Sequence, residues 1–290
     1  MEFTAWDVAA ALAKAISYAT TLAAAGAIFF LAYSEPLLRH AQRRSILRNV
    51  LSLSALAALA SVVRISLLTA SMSDSPSGMF DFSMADMVLS AGEGWATELR
   101  ILGLLLCVAA FKPGRIGSAA ACAGGLLAAA SFAAVGHVHA LKPDRLPTAI
   151  LMLHLTCAAF WLGALWPLLR VAGDGDGAVT AALAGRFGRA ALYVVGLLIV
   201  AGALLAYLLL GSLAALWNSD YGRMLALKLL LVAVLLSAAA VNKLKLTPRL
   251  KAGDVLAAAS LQRSIGFEMI VGALILTVTA TFTSLTGPPA

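Results

Sequence analysis

The chain has 290 residues, of which 61% are hydrophobic and 12% charged, and its formal net charge is +7. Ordinary soluble domains hold roughly 45–50% apolar and about 25% charged residues, so a soluble protein with this balance could not cover its surface. The apolar runs are ~20 residues long rather than alternating ten-residue stretches, which argues against a membrane β-barrel and predicts an all-α integral membrane protein.

In chain order, eight transmembrane helices are predicted at 10–33, 49–71, 96–111, 116–136, 148–170, 188–211, 223–242 and 264–284. Ala, Leu and Gly dominate them, as in closely packed membrane bundles. No repeat and no separate soluble domain is visible, so residues 1–290 are expected to form a single transmembrane domain. The opening residues MEFTAWD carry Glu2 and Asp7 and no basic stretch, so no cleaved signal peptide is expected. Cys107, Cys122 and Cys157 lie inside apolar runs, too few and too scattered for a disulfide framework.

Charge between the segments sets the orientation. The first loop carries Arg39, Arg43, Arg44 and Arg48, and the third Lys112 and Arg115. The fifth carries Arg170, Arg186 and Arg189, and the seventh Lys243, Lys245, Arg249, Lys251 and Arg263. The second holds Asp74, Asp81, Asp86 and Glu93 and no basic residue. Odd-numbered loops are therefore expected in the cytoplasm and both termini outside, with Lys142 and Arg145 of the fourth loop as the outliers. A net charge of +7 would point a soluble protein toward nucleic acid. Here the bilayer is the expected partner, and nucleic acid is not.

The second loop, TASMSDSPSGMFDFSMADM, holds Met72, Met79, Met84 and Met87, four of the eight methionines. Thioethers suit soft Cu(I), and Asp74, Asp81 and Asp86 lie beside them. An amphipathic lid that packs Met and Phe on the membrane surface explains the same residues.

Three of the four histidines fall in GHVHALKPDRLPTAILMLHLTCAAFW, residues 136–161. Pro143 and Pro147 favour a turn there, with Pro147 and Thr148 near a helix start. His154 then sits about six residues into the fifth helix, or ~9 Å of rise, and Cys157 and Trp161 follow on the same face. Met152 points roughly opposite. Imidazole with soft sulfur suits copper, and His137 and His139 could bind from the loop above. The alternative is that the loop histidines are solvated, His154 is a hydrogen-bonded core residue and Cys157 a packing residue.

Ionisable groups within membrane helices are costly and are functional candidates by default. Arg64, Glu98, Arg100 and Lys228 fall in the outer halves of their helices, where with His154 they imply a polar outward vestibule. Glu98 and Arg100 are two residues apart, so each is expected to pair with another helix. Glu268 and Asn242 could form an inner polar station. No nucleotide-binding or hydrolase motif stands in a believable setting, so no enzymatic activity is expected.

The run YGRMLALKLLLVAVLLSAAAVNKLKLTPRL, residues 221–250, resembles the signature of the copper-resistance protein D (CopD) family, a YGR-x-L-x-x-K helix ending in N-[RK]-x-[RK]-L-T-P-x-L. HLTCAAFWLGALW resembles that family's H-x6-W-[LI]-G-G-L helix start, with Ala164 at a position the family often fills with Gly. GRFGRAALYVVGLLIVAGALLAYLLLGS and QRSIGFEMIVGALILTVTATFTSLTGPP resemble two further family segments. The agreement is strongest over 136–290. The resemblance implies an eight-helix bacterial inner-membrane protein that handles copper, with a periplasmic CopC-type copper-binding partner. It implies roles for His137, His154, Trp161, Lys228 and Glu268.

On this reading the leading expectation is ATP-independent copper transport from periplasm to cytoplasm. One alternative is a haem electron carrier, with His154 and His137 or His139 as axial ligands. Against it, only His154 of the candidates lies within a helix, and two-haem carriers need four placed histidines. The other alternative is a non-transporting scaffold that delivers copper.

Overall fold

The structure, a computed structural model, describes residues 4–136, 138, 141 and 144–287. His137 and His139 lie outside the described residues. The helices in chain order are α1 (Ala5–Ser34), α2 (His40–Ser73), α3 (Phe82–Ser90), α4 (Gly92–Cys107), α5 (Arg115–Ala130), α6 (Arg145–Ala172), α7 (Gly177–Leu210), α8 (Ala215–Asn218), α9 (Asp220–Val241), α10 (Thr247–Lys251) and α11 (Val255–Leu285). No strand occurs among the described residues. Eight helical spans are long and apolar enough to cross a membrane: α1, α2, α4, α5, α6, α7, α9 continued through α10, and α11. Short 3-10 turns extend α1, α4 and α5 at Glu35–Leu37, Val108–Phe111 and Ser131–Ala134.

The first span starts at a capping box. Asp7 N–H donates to Thr4 Oγ1 at 3.2 Å, while Thr4 N–H donates to Asp7 Oδ2 at 3.0 Å, so exposed amides at the helix start are satisfied locally. α1 is the hub of the bundle and packs against α2, α4, α5, α6 and α11. Its crossing with α6 brings backbone onto backbone. A Cβ on Gly26 would lie 1.7 Å from the Ala159 carbonyl oxygen, and one on Gly163 would lie 2.4 Å from the Gly26 Cα. Small residues permit this approach, which raises dispersion contact where lipid offers no hydrophobic driving force between helices.

The helices run further than hydropathy alone suggests. Arg43, Arg44 and Arg48, expected in a loop, lie on α2, and Arg186 and Arg189 lie on α7. Arg263 lies on α11, which begins nine residues before the predicted start. Hydropathy marks the part of a helix inside hydrocarbon; the backbone ladder continues into the headgroup layer, where polar side chains cost little. At this basic end Arg39 pairs with Asp176, and Gln42 Nε2 donates to Asp174 Oδ2 at 3.0 Å. Arg186 Nε donates to the Tyr33 carbonyl at 2.9 Å, with its guanidinium 4.5 Å from the Tyr33 ring centre.

Both termini lie at the opposite end, where Lys14 Nζ donates to Thr283 O at 3.2 Å and Thr283 Oγ1 at 3.0 Å. The methionine-bearing connection at this end is more ordered than a loop. It folds as a 3-10 turn, Pro76–Phe80, followed by α3, whose first amides are accepted by Asp81 Oδ1. The Ser83 hydroxyl, donating to the same carboxylate, holds Asp81 below the usual carboxylate pKa.

α7 packs chiefly on α6, and α9 chiefly on α11. α9 passes into α10 through a π turn at Asn242–Leu246, where Thr247 N–H reaches the Asn242 carbonyl five residues back and Thr247 Oγ1 donates to the same oxygen at 2.8 Å. Pro248 follows and has no N–H to continue an ordinary ladder. Such wide turns mark local insertions and are frequent at functional sites.

Candidate functional site

A cavity of about 990 Å³ occupies the terminal half of the bundle, between α7 and α9 and above Trp161. Its walls are mostly Leu, Val and Ala from α7, α9 and α11, and its charged lining is Asp7, Lys14, Arg64, Glu93 and Lys228. Arg64 and Glu93 form a two-pronged ion pair at 2.5 and 2.9 Å. Arg100 lies buried behind Phe132, its guanidinium 4.0 Å from that ring centre, and donates to Ser131 Oγ at 3.2 Å and Ser61 Oγ at 3.1 Å. Lys228 Nζ stands 5.9 Å from the Phe282 ring centre.

His154 lines this cavity and packs on α7. Because α6 begins at Arg145, the ring lies nine residues into the helix, or ~14 Å, deeper than the expected six. Its Nδ1 lies 3.2 Å from the Leu198 carbonyl oxygen. A carbonyl only accepts, so Nδ1 carries a proton, and a neutral ring would then keep its lone pair on Nε2. Metal-binding histidines are commonly held this way, with the second nitrogen donating to a backbone carbonyl. Gly202 makes the seating possible, since a Cβ there would come within 3.1 Å of His154 Cε1.

Of the other expected residues, Trp161 is buried and lines the cavity floor, whereas Cys157, on the same helix face, is buried outside the lining. All three cysteines are free thiols. Glu98 points out of the bundle and is exposed. The carboxylate that faces inward is Glu93, five residues earlier. Met72 and Met87 are exposed, Met79 and Met84 half-buried, and all four lie outside the cavity lining. Among the described residues no group of three or more His, Cys, Asp or Glu is disposed to hold a metal ion.

Behind Trp161 lies a second polar station. Glu268 is buried, accepts a hydrogen bond from Asn242 Nδ2 and is also hydrogen-bonded by the Trp161 side chain. Asn242 is the first residue of the π turn, and its Oδ1 is buried with no hydrogen-bond partner. Trp161 thus touches both the cavity and this station.

Lys14 and Tyr18, which line the cavity, are not among the residues expected from sequence, and Glu93 is expected there only as a loop charge. Lys14 is a lone cation inside the apolar run AALAKAISYA, a signal of the same kind as Arg64 and Lys228.

An all-helical chain with eight apolar spans and a charged interior cavity is a multi-pass membrane protein. The family profile described as copper resistance protein D matches residues 181–282. The profile for the copper resistance protein D-like N-terminal domain matches residues 5–143. The copper transport protein CutJ of Bacillus subtilis (strain 168) is 27% identical over 169 residues, covering 57% of this chain and 30% of that protein. The chain therefore aligns with under a third of that relative's length. No solved structure matches. The chain therefore belongs to the copper-resistance protein D family.

Proposed function

We propose that this protein is an ATP-independent, non-enzymatic copper carrier of a bacterial inner membrane, moving the ion from the periplasm toward the cytoplasm. The cavity is its outer vestibule, and both termini face the periplasm. One observation carries the reading: His154 lines the cavity while the Leu198 carbonyl occupies its Nδ1, which leaves Nε2 for a ligand. Cu(I) suits an imidazole joined by soft ligands, and Met72, Met79, Met84 and Met87 at the same end would gather it. His137 and His139 would complete the entry. A CopC-type periplasmic protein would supply the metal, and Glu268 with Asn242 would form the next station.

In proteoliposomes loaded with a Cu(I) chelator, His154→Ala should lower copper uptake tenfold or more, a loss of the size seen for support around metal ligands. Uptake at the unaltered rate by a folded variant would remove His154 from the path.

A second reading, a scaffold that holds copper for delivery, draws on the cavity's extent. Its lining reaches Trp161 and Leu236 and does not include Glu268. Glu268→Gln and Asn242→Ala separate the two readings: reduced net uptake favours transport, and unchanged uptake with copper still retained favours the scaffold.

A further inference from the structure

Among the described residues the cavity carries more positive than negative charge, an unexpected lining for a cation's path. Lys14, Arg64 and Lys228 face it with Arg100 just behind, against Asp7 and Glu93. Glu93 is taken by Arg64, and Asp7 accepts from Ser71 at 2.6 Å. Among the described residues no ion pair joins Lys14, Arg100 or Lys228 to a carboxylate. Burying unpaired ammonium groups in hydrocarbon is costly unless an anion meets them.

The two lysines approach one turn of α11 from different helices. Lys14 donates to Thr283 from α1, and Lys228 stands over Phe282 from α9. Thr283 is two residues from the end of α11, and long lysine side chains extend toward the headgroup level. Tyr207 and Trp217, both exposed at this end, are the residue types that mark a bilayer interface. Much of the remaining cavity wall is aliphatic, with Leu198, Ala206, Leu229 and Val232 among its residues. The cavity volume of about 990 Å³ stands at the top of the roughly 300–1,000 Å³ range of ligand pockets.

We propose that the gap between α7 and α9 holds one anionic phospholipid from the surrounding bilayer, its phosphate between Lys14 and Lys228 and an acyl chain along the aliphatic walls. The lipid closes the bundle sideways, where α7 and α9 do not close it themselves, and its charge offsets the cationic excess beside the proposed copper entry. This inference does not depend on copper movement.

The test is lipid analysis of the full chain purified in detergent with extensive washing, from membranes of mixed zwitterionic and anionic phospholipid. Retained lipid should be strongly enriched in anionic species relative to the membrane. Lys228→Met and Lys14→Met should each lower that retention about tenfold, the loss expected of one charge-assisted contact. Ala206→Trp, which fills the cleft and spares both lysines, should lower it as well. Retained lipid of bulk composition, or enrichment unchanged in folded Lys228→Met and in Ala206→Trp, would overturn the assignment. Copper uptake lost with enrichment intact would count against the transport reading alone.

Discussion

Around α1 the helices touch backbone to backbone, whereas α7 leans chiefly on α6 and α9 chiefly on α11, leaving about 990 Å³ between them. Both regions are apolar, and both use the same residue types. What differs is where the small residues fall. Gly26, Ala159 and Gly163 face one another at a single crossing, so shape rather than hydrophobicity closes that side. Along α7 and α9 large aliphatic side chains point outward or into the gap: Leu204 and Leu229 are both exposed. In a bilayer such exposure carries no hydrophobic cost, so the open side needs no internal partner. Stability resides in the closed half, and room for a ligand in the open one.

The sharpest way to break this contrast is Gly163→Leu. A side chain meeting the α1 backbone exceeds the usual overpacking cost of about 1–3 kcal/mol, so folded protein should be lost or destabilised by more than about 4 kcal/mol in detergent unfolding. Glu93→Ala comes next. It leaves the Arg64 guanidinium unpaired in a largely buried place, and the loss should be about 3 kcal/mol, toward the low end for a broken buried pair because Glu93 is partly exposed. Leu204→Ala on the open side should change unfolding by no more than about 0.5 kcal/mol. A large effect there would mean that α7 has a partner this arrangement does not give it.

The smallest effect concerns the connection into α11, outside the spans. Arg249 Nε donates to Asp254 Oδ2 at 2.9 Å, and Asp254 Oδ1 accepts from Leu256 N–H at 2.9 Å. The Arg249 bond, followed by that backbone bond, lowers the Asp254 pKa. The cap is therefore fully present above the ordinary carboxylate value and is lost as pH falls through the lowered folded value. Amide exchange at Leu256 should show added opening only in acid, with neutral and alkaline behaviour alike.

Much of the fold is legible because hydrocarbon imposes a length: the eight predicted segments each lie within or close to one of the eight spans. Helix ends were not legible, since the criterion is apolarity and the ends are polar. That error reaches the site. With the third segment starting at 96, Glu93 reads as a loop charge and Glu98 as the buried carboxylate; with α4 starting at Gly92, the two lie five residues apart, about 140° around the helix, and Glu93 faces in. Arg64, Lys228, His154 and Trp161 were found because each is a rare residue type in its surroundings. The Leu198 carbonyl that orients His154 could not be, because every residue carries one.

The π turn at Asn242–Leu246 amounts to one surplus residue in a helix. Shortening the chain by one position between Lys243 and Lys245 should let the helix regularise without turning its lower half, and Leu246 and Leu250 would keep their inward faces. Shortening it anywhere in α9 would swing those same leucines by about 100°. Length tolerance in this span is thus confined to one turn, and that turn begins with the residue that holds Glu268.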